Sequence, residues 1–324
     1  MSDTPRMSVV VPTYRRPELL TRCLATVLSQ SLDGDAYEVI VVDDGHDETT
    51  RLAVEGMRPE RGAPALRYLC PPQGRGPAVA RNAGWRAARA PLVAFTDDDT
   101  IPDLRWLEEG ERALGDRVAI CGRVVVPPLE QPPTDHELMT RGLESADFVT
   151  ANAFVRRDAL EQVGGFDERF LRAWREDSDL QFRLQALGEV TRADAATVLH
   201  PVRPERWGVC LRQQRNAFFD ALLYKKHPRL YRERIRPVPP WDYYAIVGAV
   251  LAVPFLLLAD APGAGATALV VASVLVLRLA ARRLRHTSRA PSHVAEMVVT
   301  SALIPFLSVY WRLRGAWRFR VPFL

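Results

Sequence analysis

The sequence predicts an α/β fold with a mostly parallel sheet, followed by a C-terminal region of transmembrane or interfacial helices. Three observations lead there. Short apolar runs alternate with helix-compatible segments from Ser8 to Thr96, several of those runs end directly in polar or acidic clusters, and from Trp241 the chain turns apolar for long stretches.

Residues 8–11 read as a buried strand ended by Pro12, and residues 17–29 as an amphipathic helix with Pro17 in its first turn. A second strand, residues 37–42, ends in Asp43-Asp44-Gly45. A helix-compatible segment (47–55), a third strand (66–69), the loop Gln73-Gly74-Arg75-Gly76-Pro77 and an Ala-rich helix (78–90) lead into a fourth strand, Leu92 to Phe95. Right-handed crossovers make such a β-α-β-α-β-α-β run a parallel sheet, with every strand C-terminus on the edge where ligands bind. Pro12-Thr13-Tyr14, Asp43-Asp44 and Asp97-Asp98-Asp99 therefore converge on one crevice.

The Asp97-Asp98-Asp99 run sets the chemistry. Two carboxylates about 4 Å apart repel by roughly 4 kcal/mol at an effective dielectric near 20, so a fixed pair is best explained by a divalent cation, Mg²⁺ or Mn²⁺, facing a diphosphate. Taken by itself the run has another reading, in which Asp99 or Thr100 caps a helix beginning near Pro102. Arg75 and Arg81 lie near the start of the Ala-rich helix, where a phosphate is welcome; solvated arginines on a helix surface are the other reading. Gly74-Arg75-Gly76 has neither the P-loop nor the dinucleotide context.

Further along, residues 104–114 read as a helix, 118–126 as a strand, 134–144 as a polar mobile loop, 150–155 as a strand and 157–163 as a helix. Arg175-Glu176-Asp177-Ser178-Asp179 opens another helix. Its acidic residues suit the helix dipole, and one of them beside a metal site would serve as a general base.

Composition narrows the class. With 48% hydrophobic residues in 324 there is ample material for a core. Cys23, Cys70, Cys121 and Cys210 are too scattered for a zinc site and read as buried thiols. A net charge of +4 does not call for nucleic acid; arginines crowd near the C-terminal apolar segments, where anionic lipid is the natural partner. Residues 1–7 carry no hydrophobic stretch, so the N-terminal part is expected in the cytoplasm.

Six motifs stand in one order: Val10-Val11-Pro12-Thr13-Tyr14, Val41-Val42-Asp43-Asp44-Gly45, Ala80-Arg81-Asn82-Ala83-Gly84, Phe95-Thr96-Asp97-Asp98-Asp99, Gly164-Gly165-Phe166-Asp167 and Glu176-Asp177-Ser178-Asp179-Leu180. Over residues 8–228 the chain resembles the family 2 glycosyltransferases of GT-A-type nucleotide-binding fold. The resemblance implies that Pro12, Thr13, Tyr14 and Asp44 hold the base and ribose of a nucleotide-sugar, most often a UDP-sugar, with Arg16, Arg75, Arg81 and Asp98 also on the donor. It implies a D-x-D in which Asp99 is the metal ligand and Asp97 lies nearer the ribose or sugar while sharing the metal. His200 sits where many relatives carry a histidine near the metal, though a single His before Pro201 also reads as a satisfied core residue. Asp177 matches the catalytic base, with Glu176 beside it. The implied activity is an inverting, metal-dependent transfer to a lipid-linked or glycan acceptor. Polymer synthases of this family carry Q-x-x-R-W, whereas Gln214-Arg215-Asn216 has no Trp after the Arg, which disfavours processive growth. A nucleotidyltransferase would leave Glu176-Asp177 without a role, and a non-catalytic membrane scaffold would leave the acidic crevice idle.

The sequence divides into a catalytic domain, residues 1–235, and a membrane region, 241–324. Residues 243–281 read as a helical hairpin, each arm near the minimum of about 17 residues for a span. Arg278, Arg282, Arg283, Arg285 and Arg289 put the following loop on the cytoplasmic side, with the catalytic domain, in a multi-pass cell-membrane protein. A third apolar segment, 294–311, places Glu296, Thr300, Ser308 and Arg312 on one side, and an interfacial or re-entrant helix is favoured there over a third span.

Overall fold

The computed structural model describes residues 4–57, 62–72, 76–128 and 131–324. Two compact units result. Unit 1 comprises residues 1–127 and 141–201, and unit 2 residues 128–140 and 202–324, so compactness groups residues 202–240 with the apolar helices, where composition alone grouped most of them with the catalytic part.

Unit 1 is built on strands β1 (Met7–Thr13), β2 (Tyr37–Asp43), β3 (Ala65–Leu69), β4 (Leu92–Thr96), β5 (Ile101–Pro102), β6 (Ala119–Val125), β7 (Asn152–Arg156) and β8 (Val190–Leu199). They form one sheet in the order β3-β2-β1-β4-β7-β6-β8-β5. β3, β2, β1 and β4 run parallel, and β7 joins β4 antiparallel. β1 and β2 are buried almost throughout, as central strands covered on both faces are, and the two carboxylates that β2 carries, Glu38 and Asp43, are buried with hydrogen-bond donors. Helices α1 (Pro17–Val27), α2 (Glu48–Gly56), α3 (Pro77–Ala87), α4 (Trp106–Leu114), α6 (Arg157–Val163) and α7 (Glu176–Gln185) complete the unit, while α5 (Asp135–Arg141) belongs almost wholly to unit 2.

Two local expectations change. The segment expected as a mobile loop over 134–144 forms α5 and a following turn, Gly142–Ser145. Its start is a capping box: Glu137 N donates to Thr134 Oγ1 at 3.2 Å, and Thr134 N donates to Glu137 Oε2 at 2.7 Å. The helix expected near Pro102 begins at Trp106 instead, because Ile101 and Pro102 pair with β8. Neither Asp99 nor Thr100 caps it.

Unit 2 continues with α8 (Val209–Gln213), α9 (Ala217–Lys226), the short α10 (Pro228–Leu230), α11 (Trp241–Leu258), α12 (Pro262–Leu284) and α13 (Pro291–Phe319). The last three are long and apolar enough to cross a membrane. α11 and α12 form an antiparallel hairpin closed at its base by Arg282 and Asp242, 3.0 Å apart. α13 is one continuous helix in which Thr300, Ser301, Ser308 and Arg312 are buried while Tyr310 and Trp317 are exposed. Residues 208–226 run alongside it. Gly208 N donates to Glu296 near its start, a Cβ at Gly315 would lie 2.5 Å from Phe218 O, and Lys225 Nζ donates to Phe319 O at its end.

Candidate functional site

The parallel half of the sheet brings the polar strand ends together by register. Thr13 stands opposite Asp43, and Val10 opposite Phe95, so three residues further on Thr13 falls beside Asp98. Thr13 Oγ1 donates to Asp98 Oδ2 at 2.8 Å, and Arg16 Nη1 reaches Asp98 Oδ1 at 3.3 Å. Burial, helped by Asp99 and Asp97, pushes the Asp98 carboxyl up to about 6, against the pull of Arg16 and Thr13. Asp98 thus joins the loop after β1 to the loop after β4. Pro12, half-buried, is the penultimate residue of β1, which runs on to Thr13, and Tyr14, 48% exposed, follows it with Arg15 over its ring.

Asp43 and Asp44 divide their work. Asp43 is fully buried and accepts from Gly45 N at 2.8 Å, Asp47 N at 2.7 Å and Tyr68 OH at 2.7 Å, which fixes the turn after β2. Asp44 follows on that turn, and its Oδ2 accepts from Gly76 N at 2.7 Å, tying it to the start of α3. Arg75 lies outside the described residues.

The carboxylates after β4 meet a histidine from β8's end. Asp97, Asp99 and His200 each offer one ligand atom within 4.8 Å of the others, and His200 Nε2 lies 3.6 Å from Asp99 Oδ1. His200 Nδ1 is buried with no hydrogen-bond partner among the described residues. Two carboxylates and an imidazole at this spacing fit a divalent ion such as Mn²⁺ or Mg²⁺, which favour oxygen donors.

Arg81 connects this cluster to α7. The side chain is 3% exposed, with Nη2 2.8 Å from Asp97 Oδ1 and Nη1 3.0 Å from Glu176 Oε1. Those partners lie 16 and 95 positions away in the chain. Burial and the adjacent Asp177 push Glu176 up to about 8 despite Arg81, and its Oε2 has no partner among the described residues. Burial also raises Asp177, opposed by the Ser178 N–H, which donates to Asp177 Oδ1 at 2.6 Å. The residue capping α7 is Arg175, in the left-handed region at φ 75°, so Asp177 is not the N-cap.

Two groups had no role in the sequence reading. Asn82 Nδ2 donates to Phe166 O at 2.9 Å and to Glu168 Oε1 at 2.8 Å, while its Oδ1 accepts from Phe166 N at 2.8 Å, so α3 is stitched to the Gly164-Gly165-Phe166 turn. Gly165 must be glycine there, since its φ is 71° and a Cβ would lie 2.5 Å from Asn82 Oδ1. Asp43 is the other; a carboxylate followed by Gly two positions on was the available signal.

The site can therefore hold a divalent cation and an anion against it, with the buried Glu176 and the partly exposed Asp97 linked through one arginine. The profile of glycosyl transferase family 2 matches residues 8–164, and that of glycosyl transferase family group 2 matches residues 92–310. The chain is 28% identical over 226 residues to the glycosyltransferase AglE of Haloferax volcanii, covering 66% of this chain and 72% of that one. It is 29% identical over 279 residues to the validoxylamine A glucosyltransferase of Streptomyces hygroscopicus subsp. limoneus, covering 72% and 59%. It is 30% identical over 304 residues to the pre-mycofactocin glycosyltransferase of Mycobacterium tuberculosis, covering 86% and 58%, so it spans under two thirds of the length of these last two. The fold matches the mannosyltransferase PcManGT of Pyrobaculum calidifontis, solved in complex with GDP-Man and Mn²⁺, at a TM-score of 0.58 and 20% identity, covering 97% of this chain and 88% of that one.

Proposed function

The chain belongs to glycosyl transferase family 2 and is a glycosyltransferase acting from a nucleotide-sugar, and on that premise we propose that it moves one sugar, with inversion, from a UDP-linked donor to a hydroxyl of a lipid-linked or glycan acceptor at the cytoplasmic membrane face. The observation that carries this reading is the Arg81 link between the Asp97–Asp99–His200 cluster and the acidic start of α7. It supports a single reaction centre in which donor and acceptor chemistry share one buried cation.

In this reading Asp44 and Thr13 hold the base and ribose, with Pro12, Tyr14, Arg16 and Asp98 on the donor, Asp98 being held in place by Thr13 and Arg16. Asp97, Asp99 and His200 hold Mg²⁺ or Mn²⁺, which when bound neutralises charge on the diphosphate. Asp177 accepts the proton of the attacking acceptor hydroxyl. Its raised basicity suits that task near neutral pH, and the Ser178 N–H fixes its orientation. Glu176 and Arg81 hold α7 in place beside the donor.

Membrane attachment in this reading rests on unit 2. The α11–α12 hairpin enters and leaves the bilayer on the side carrying Arg282, Arg283, Arg285 and Arg289. α13, about 44 Å long at 1.5 Å per residue, lies along the surface. It keeps Arg212, Arg215, Asp220, Lys225 and Lys226 of the neighbouring segment beside it, and drawing those charges through hydrocarbon is far costlier than seating Tyr310 and Trp317 in the interface. The test is a screen of nucleotide-sugars for hydrolysis and transfer by the full chain in detergent, with and without Mn²⁺. No turnover of any donor by a folded protein that binds UDP sinks the reading.

A further inference from the structure

A cavity of about 210 Å³ lies wholly within unit 2, among α5, residues 202–213 and the start of α13. Among the described residues, some of its buried polar atoms have no hydrogen-bond partner: His293 is 7% exposed and its Nε2 is one of them, as are His136 Nδ1 and Gln213 Oε1, and all three residues line the cavity. Leaving such groups unsatisfied is costly, so three together imply an occupant or trapped water.

The chemistry of those atoms narrows the occupant. His136 Nε2 faces Arg203 O at 3.2 Å, and since a carbonyl only accepts, Nε2 carries a proton there; in that tautomer Nδ1 is an acceptor. Gln213 Oε1 is an acceptor as well. The occupant must therefore donate, which a phosphate or carboxylate does poorly. Of the lining acids, Asp135 is already paired with Arg283 at 2.8 Å and Glu296 Oε1 already accepts from Gly208 N at 2.7 Å, which leaves little for a cation, while the lining arginines Arg203 and Arg206 make phosphate the rival that the test must exclude. Hydroxyl groups both donate and accept. Trp207, 55% exposed, lines the cavity and offers it an aromatic side chain. A ring with hydroxyls on its edge and C–H groups on its face meets both requirements, and the volume, roughly seven waters at about 30 Å³ each, suits one such ring.

We propose that this cavity is a carbohydrate-binding site that seats one sugar ring of a glycan acceptor. The assignment to an acceptor rests on the transferase reading; the cavity's affinity for a sugar ring does not. Saturation-transfer NMR on the full chain in detergent, with methyl glycosides of glucose, mannose, galactose and N-acetylglucosamine as probes, tests it. UDP with Mn²⁺ and inorganic phosphate are run in parallel. At least one glycoside should receive saturation. Trp207→Ala, an exposed position that leaves the fold intact, should weaken its Kd by roughly tenfold, the size expected for one aromatic contact, and His293→Phe should abolish it while UDP binding persists. Glycoside binding that survives both substitutions overturns the proposal, as does a UDP-binding protein that takes none of the glycosides or takes phosphate in their place at Trp207. Glycoside binding lost on substitution in a protein that transfers from no nucleotide-sugar would keep the cavity site and sink the transferase reading instead.

Discussion

Arg81 in unit 1 and Arg312 in unit 2 are both buried guanidinium groups, 3% and 1% exposed, and they are held in opposite ways. Arg81 bonds two carboxylates, Asp97 at 2.8 Å and Glu176 at 3.0 Å, on separate elements. Arg312 donates to Leu324 O at 2.9 Å, sits 4.3 Å over the Phe323 ring and keeps Asp220 at 3.9 Å. The short contacts of Arg312 are to a backbone oxygen and a ring, with the Asp220 carboxylate farther off, so its main effect is to fasten residues 323–324 to α13. Carboxylates do change charge on binding a cation or a proton, so each such event at Asp97 or Glu176 is felt by Arg81. Depth of burial alone does not separate a structural arginine from a functional one; the partners do.

The contrast can be broken most sharply at Asp177. Asp177→Asn keeps size and polarity but cannot take a proton, so kcat should fall by about a hundredfold to ten-thousandfold with UDP affinity little changed. Glu176→Gln measured under the same conditions must cost less; the reverse order would move the base to Glu176. Asp99→Asn comes next. UDP binding followed by calorimetry with Mn²⁺ should weaken by roughly tenfold or more, because one charged ligand is lost, and EDTA should do the same to the wild type. Equal UDP affinity with and without EDTA would remove the metal from this site.

Arg312→Leu tests the structural side. It removes the bond to Leu324, the contact with the Phe323 ring and the ion pair with Asp220, so thermal or denaturant unfolding should show a loss of about 2 kcal/mol, with kcat per folded molecule unchanged. A kcat defect without a stability defect would make Arg312 functional and dissolve the contrast.

The smallest effect is a pH slope. Glu176 stands above its ordinary range in the folded chain, near 8, so the folded state binds its proton more tightly than the unfolded one does. Stability from this group is therefore present at low pH and is lost as pH rises from about 4.5 towards 8. Apo protein should show a falling unfolding midpoint across that window, and Glu176→Gln should flatten it. A midpoint that rises with pH in the wild type alone would mean Arg81 holds Glu176 ionised throughout.

How much was legible follows from distance along the chain. Strands ending in Thr13, Asp43 and Thr96 were readable, because an apolar run and the polar residue after it are neighbours in sequence and parallel crossovers send them to one edge. The helix at 135–141 was equally local and was missed: Thr134 and Glu137 spell a capping box that polarity alone reads as loop. The amphipathic pattern of the third apolar segment was visible too.

By itself, then, the sequence determined the α/β class, the acidic strand end, the acidic helix start at Glu176 and the apolar hairpin, all of which depend on residues a few positions apart. Tertiary structure alone decided that Asp98 is the carboxylate gripped by Thr13 and Arg16, and that Arg81 joins Asp97 to Glu176. It also decided that the polar side of α13 is covered by residues 208–226 rather than by water. These pairings span up to 95 positions in the site, and no periodicity records which of several arginines or aspartates the folded chain will set within 3 Å of one another; that choice is made by strand register and helix packing, after the local elements exist.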